Sequence, residues 1–244
     1  STLLQLDDLD DRDLDALHEA AEVALACEAR GQLDADATRE IVARLYRKAS
    51  RLWGRGDATT GSRKPDASTT WAREQLVRAL VDEGDKEAAV GVLLGAAELP
   101  VDAATAQELR THAARLLAQQ GDAARAIDLY DRVLAERKDD LPLVQEAAKL
   151  CEQQGRVLEL VVLRRRELEL SRDPARRLEL RLVLSNLAGQ LERQGGRVES
   201  LRANLADQPG HPASIEALVE VLSDKGRYTV LADVLSEQAQ TVQD

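Results

Sequence analysis

Six times along the chain, apolar or small residues stand four, seven and eight positions before a glycine. The glycines are Gly31, Gly84, Gly121, Gly155, Gly195 and Gly226. Four before them lie Cys27, Leu80, Leu117, Cys151, Leu191 and Leu222; seven before, Ala24, Val77, Ala114, Ala148, Ala188 and Val219. Eight before lie Val23, Leu76, Ala113, Ala147, Leu187 and Leu218. These offsets share one face of a helix, so each glycine is expected to close an amphipathic helix by adopting left-handed backbone. The seven-before site holds only Ala or Val, which predicts a close helix crossing. Five residues after the glycine come Ala89, Ala126, Leu160 and Leu231; nine after, Leu93, Tyr130, Arg164 and Leu235. They mark a second helix packing back on the first. At Gly195-Gly196 the turn reads as doubled, and the second helix is shifted by one, to Leu201 and Leu205.

The last five glycines are spaced 37, 34, 40 and 31 residues apart, a period that signals stacked helix pairs rather than one globular core. Helix pairs are predicted at 10–30 with 36–53, then at about 70–98, 103–137, 141–171, 174–206 and 212–240. Pro142, Pro174 and Pro212 fall near helix starts, where proline is tolerated. Residues 7–15 carry six aspartates, whose charge complements the start of a helix. Residues 54–70 are rich in Gly, Ser and Thr and read as a flexible loop. The expected organisation is an N-terminal helix pair or cap at 1–53, a flexible loop at 54–69, and an array of about five helix pairs at 70–244.

Residues 109–140 resemble the tetratricopeptide repeat family most fully: the small Ala114, the Gly121-Asp122 turn, Ala126 and Tyr130 fall where that family's pattern has them. The second unit is similar through Gly84-Asp85 and Ala89. Units four to six depart, with Leu160, Leu201 and Leu231 where the family prefers Ala, and resemble the degenerate repeats of long bacterial arrays. The resemblance implies an all-α helical-hairpin solenoid, a right-handed superhelix of the tetratricopeptide type. It also implies a non-catalytic scaffold that binds a peptide or protein in a concave groove.

Composition narrows the alternatives. With 33 Lys and Arg against 44 Asp and Glu, the net charge is −11, which disfavours nucleic acid as the main partner. No apolar run approaches the ~20 residues that span a bilayer, so no membrane insertion is expected and a cytoplasmic location is. The chain holds no methionine, which we read as a sign of a processed or excised piece; a lost leader stays open. Cys27 and Cys151 share a core offset and are expected to be structural thiols, with no CxxC pair and no disulfide framework. His18, His112 and His211 lie in different units without metal-ligand spacing and are assigned surface or capping roles. No catalytic residues, cofactor or metal are expected. Arg55-Gly56-Asp57 spells an adhesion tripeptide, a match short enough to arise by chance. Arg164, Arg165, Arg166, Arg172, Arg176, Arg177 and Arg181 crowd one region with Glu167, Glu169, Asp173 and Glu179 interleaved. That mixture predicts solvated faces with pairs along each helix; a docking patch for an acidic segment is the competing reading.

The candidate binding row comes from the offset six before the glycine, beside the core stripe. It holds Arg78, Arg115 and Lys149 in three successive units and fades to Gly189 and Glu220. In the family it resembles, this place points into the groove. Glu74, Thr111, Gln145 and Gln119 are the neighbouring groove candidates. A basic row in an acidic protein suits an extended acidic segment or a chain-terminal carboxylate. Self-association, as a regulatory or oligomerisation segment of a larger signalling protein, is the alternative, and an enzyme on a helical solenoid a third.

Overall fold

The computed structural model describes residues 14–54, 67–191, 194–224 and 226–243. Most of the aspartate-rich stretch at 7–15, the core of the predicted loop and the Arg55-Gly56-Asp57 tripeptide lie outside them. Among the described residues every regular element is helical: α1 Leu14–Ala29, α2 Ala35–Gly54, α3 Ala67–Asp82, α4 Lys86–Ala97, α5 Ala103–Gln120, α6 Ala123–Glu136, α7 Leu141–Gln153, α8 Val157–Leu170, α9 Pro174–Gln190, α10 Gln194–Asp207, α11 Pro212–Asp224 and α12 Tyr228–Gln243. They form six consecutive pairs. Helix α3 begins three residues inside the stretch read as loop, because Ser and Thr are tolerated in a first turn and Thr69 is already buried.

The chain divides into two compact units, residues 1–136 and 137–244. In the first, α1–α6 pack pair upon pair, and the sequence offsets supply the core: Ala24, Leu76, Val77, Leu80, Ala113, Ala114 and Leu117 are buried. Tyr130 fills the nine-after position of the third pair and is almost wholly enclosed. In the second unit Ala147, Ala148, Cys151, Leu187 and Leu218 do the same, and Leu201, Leu205, Val221, Leu222 and Val234 join the last two pairs. The rule weakens at the extremes: Val23 in the first pair and Val219 in the last are exposed. Cys27 is only half-buried, whereas Cys151 is enclosed.

Turn chemistry explains why the helices stop where they do. Gly121 has φ 86°, left-handed backbone, and its N–H donates to the Ala118 carbonyl. The next N–H, of Asp122, donates to the carbonyl of Leu117. The same bond recurs from Gln32 to Cys27, Arg156 to Cys151 and Arg227 to Leu222. The four-before residue therefore places its side chain in the core and accepts the closing bond of its own helix. Aspartates start the next helices: Asp85 accepts from the Ala88 N–H, Asp102 from Thr105, Asp140 from Leu143 and Asp173 from Ala175. The fifth pair departs from the expected pattern. Gly195 and Gly196 lie within the first turn of α10 rather than in a turn ahead of it.

Candidate functional site

The helix pairing leaves a groove in the first unit between α3 and α5, the first helices of successive pairs. A cavity of about 580 Å³ opens there, within the range of ligand pockets. Val77 and Val81 of α3, Leu109 and Leu116 of α5, and Leu93 of the intervening α4 form its apolar floor, and all of these but Val81 are buried. Its charged lining is Arg73, Glu74, Arg78 and Asp82 from α3 with Glu108 and His112 from α5. Alternating helical spacings put both sets on one wall each: positions 73, 77 and 81 on α3, and 105, 109, 112 and 116 on α5.

Of the seven residues singled out from sequence, this cavity is lined by Glu74 and Arg78, both exposed. Arg115 and Gln119 are exposed on α5 but do not line it. Thr111 is only 6% exposed, and its hydroxyl donates to the Gln107 carbonyl at 2.8 Å. It stands one turn before Ala114 on the same helical face, so the core takes it. Lys149 and Gln145 belong to the second unit. Lys149 is exposed on α7; Gln145 is also exposed but donates to Glu167 at 3.1 Å. At Gly189, where the basic row fades, the missing side chain is replaced from outside the helix. A Cβ there would stand 3.2 Å from Cζ of Arg197, and Arg197 approaches Glu220, the last member of the row, at 3.7 Å.

Four titratable groups of the lining were not selected by the offset argument: Arg73, Asp82, Glu108 and His112. His112 is exposed; partial desolvation first, then the charges of Arg115 and Arg73, lower its pKa. The other histidines take structural places. His18 stacks on Trp71 with ring centroids 4.4 Å apart, and His211 Nδ1 lies 2.8 Å from Ser214 Oγ at the start of α11. Among the described residues no group of three or more His, Cys, Asp or Glu is placed to hold a metal ion, and no helix is long and apolar enough to cross a membrane.

The arginine-rich region of the second unit meets the sequence expectation only in part: Arg165 and Arg172 are exposed and Arg176 pairs with Glu179 along its helix, but a buried cluster was not expected. Glu167 is 0% exposed. It accepts from Arg164 Nη1 at 2.6 Å, from Arg176 Nε at 3.0 Å and Nη2 at 2.8 Å, and from Gln145. Arg164, itself 8% exposed, also reaches Glu152 at 2.8 Å. Burial raises the Glu167 pKa, but the hydrogen bonds from Arg164, Arg176 and Gln145 and the Arg164 charge outweigh it, and the net shift is downward. Arg177 donates to the Leu168 and Ser171 carbonyls that end α8. Arg181 pairs with Asp207 at 2.5 Å, beside Asn204, which donates to the Leu178 carbonyl and to Ser214 Oγ. Arg164, Arg176, Arg177 and Arg181 are thus committed to internal acceptors, which removes these four from a docking patch. The clue was present: Arg164 occupies the nine-after offset, where the second, third and sixth units have Leu93, Tyr130 and Leu235, and a charge at a core position must bring a partner.

No protein-family model matches the chain, and no curated protein is similar to it. Solved structures similar to it include a tetratricopeptide repeat protein from Parabacteroides merdae, at 13% identity over 91% of this chain and 78% of that one, with a TM-score of 0.42. MamA MSR-1 C2 is 17% identical over 70% of this chain and 95% of that one, at a TM-score of 0.39. BtubC (BKLC) from P. vanneervenii is 15% identical over 91% and 90%, at 0.38. Likenesses this distant say nothing about partner or site. Consecutive helix pairs in one repeated register, closed by the same glycine turn in most of them, make this chain an all-α helical-hairpin repeat protein similar to the tetratricopeptide repeat family.

Proposed function

We propose that the protein is a non-catalytic interaction scaffold, and that the α3–α5 groove receives a short segment of a protein partner. The observation that carries this reading is the groove's make-up: a cavity of about 580 Å³ with an apolar floor, bordered by charges of both signs on two helices. Apolar side chains of a bound segment would bury against Val77, Val81, Leu93, Leu109 and Leu116, and polar groups at the rim would fix its register. Glu74, Asp82 and Glu108 stand among the cations, so the groove is not a uniformly basic channel. A segment of mixed charge around an apolar anchor fits it better than a continuously acidic one.

Selection of random peptides on the full chain tests this. Selected peptides should share an apolar residue flanked by charges. They should lose binding to an Arg78→Glu/Glu108→Lys variant whose helicity by circular dichroism is unchanged. Lys149→Glu, in the second unit, asks whether the third member of the basic row takes part. Equal binding of the selected peptides to the chain and to the groove variant would refute the groove as the site.

A further inference from the structure

Leu158 and Val162 stand on α8 with 60% and 65% of their surface open. They occupy the places three and seven residues after Gly155. In the second, third and sixth pairs the same places hold Glu87 and Gly91, Ala124 and Asp128, and Thr229 and Asp233, all exposed. Packing within the repeat therefore does not call for large apolar side chains there, and leaving both in water forgoes the stabilisation that burial brings. Beside this ledge lies a cavity of about 260 Å³, floored by Val161 of α8 and by Leu184, Ala188 and Leu191 behind it. It falls below the roughly 300–1,000 Å³ of small-molecule pockets and suits an aliphatic side chain. Helical spacing puts ledge and cavity together: Val161 and Arg165 line the cavity and follow Leu158 by three and seven residues. Arg165 borders the opening from α8 and Glu199 from α10. Both are exposed, and among the described residues neither has an ion-pair partner. Arg164, Arg176, Arg177 and Arg181 in the same region all have internal acceptors.

We propose that this face is a two-fold contact between two copies of the chain: the Leu158–Val162 ledge of each copy seats against the cavity of the other, and Arg165 of each pairs with Glu199 of the other. A two-fold contact needs one surface that carries both halves of the fit. Here a protrusion and a cavity, and a cation and an anion, share one face. Repulsion between two chains of net charge −11 opposes the contact. Residues 137–244, however, hold nearly as many Lys and Arg as Asp and Glu, so the second unit carries little of that charge. The patch is small, which places the dimer among weak, transient contacts.

Sedimentation equilibrium of the full chain tests this. At about 0.15 M salt, which screens charges beyond ~8 Å, and over about 5–500 μM protein, the mass should rise from 26.7 kDa toward twice that value. Leu158→Glu/Val162→Glu should hold it at 26.7 kDa throughout. Both side chains are exposed, so the fold should survive, and circular dichroism checks that it does. Arg165→Glu and Glu199→Arg each create two like-charge pairs in their own dimer and should weaken it about tenfold. An equimolar mixture of these two variants restores both opposite-charge pairs across the contact, and its association should return to within about threefold of the unmodified chain. Arg78→Glu/Glu108→Lys, in the groove of the first unit, should dimerise as the unmodified chain does. Three results would each overturn the two-fold contact: a monomer mass up to about 500 μM, a dimer that survives Leu158→Glu/Val162→Glu, or charge reversals that either have no effect or are not rescued by mixing. Selected peptides that bind a monomeric chain and are lost from Leu158→Glu/Val162→Glu would give the face to a different protein and overturn it as well.

Discussion

Replacing Glu167 with glutamine changes one charge and almost no volume, yet it should destabilise the second unit severely. The carboxylate is fully enclosed and accepts from Arg164, Arg176 and Gln145. Glutamine loses the counter-charge and turns an amide N–H₂ toward donors. Breaking a buried ion pair from one side costs about 3–5 kcal/mol. Two features place this case at the lower end. Arg176 is about a third exposed and can recover water, and Arg164 keeps Glu152 at 2.8 Å. The expected loss is about 3 kcal/mol, or roughly 150-fold in the local opening equilibrium. Hydrogen exchange at the slow amides of α7–α9 reads this directly, and it suits a repeat array whose pairs open separately. The double variant Arg164→Leu/Glu167→Leu removes both buried charges and should recover most of the loss. Two results would refute the reasoning: less than about fivefold faster exchange in Glu167→Gln, or a double variant no better than the single one.

The same pair sets an acid limit. The Glu167 pKa is lowered in the folded chain, so its contribution is complete above the unfolded-state value of about 4.3 and is lost as pH falls through the folded-state value; the stability gap between the chain and Glu167→Gln should close on acidification, measured by urea titration at each pH. Gly121→Ala forces a side chain into left-handed backbone and should cost about 1 kcal/mol, with Gly121→Asn costing less, both read by thermal melting of α5–α6. Asp102→Ala removes the acceptor for the Thr105 N–H and hydroxyl and should cost about 1 kcal/mol by the same measurement. Leu117→Ala, at a fully buried four-before position, should cost about 2–5 kcal/mol; a loss under about 1 kcal/mol would show that the repeat offset does not mark the core.

How far the sequence reaches can be judged residue by residue. The four-, seven- and eight-before offsets named Leu80, Leu117, Cys151, Ala114 and Ala148, all buried, because helical periodicity and a glycine stop are local properties of the chain. The same reasoning failed at Gly195, which lies inside a helix: a glycine permits a left-handed turn but does not compel one. It also missed Arg73, Asp82, Glu108 and His112, since a single row at one offset cannot say which residues of two neighbouring helices share a cavity.

The sequence by itself determined that this chain is helical, where most of its turns fall and which stripe of each helix is core; those features follow from periodicity, capping and side-chain size, all encoded within one or two turns of chain. Tertiary structure alone decided the fate of the charges. Packing buried Glu167 between Arg164 and Arg176, filled the space over Gly189 with Arg197, and set Arg73 opposite His112 in the α3–α5 groove. Whether a charged side chain is solvated or paired depends on residues brought beside it from other helices, and the spacing along one helix carries no record of them.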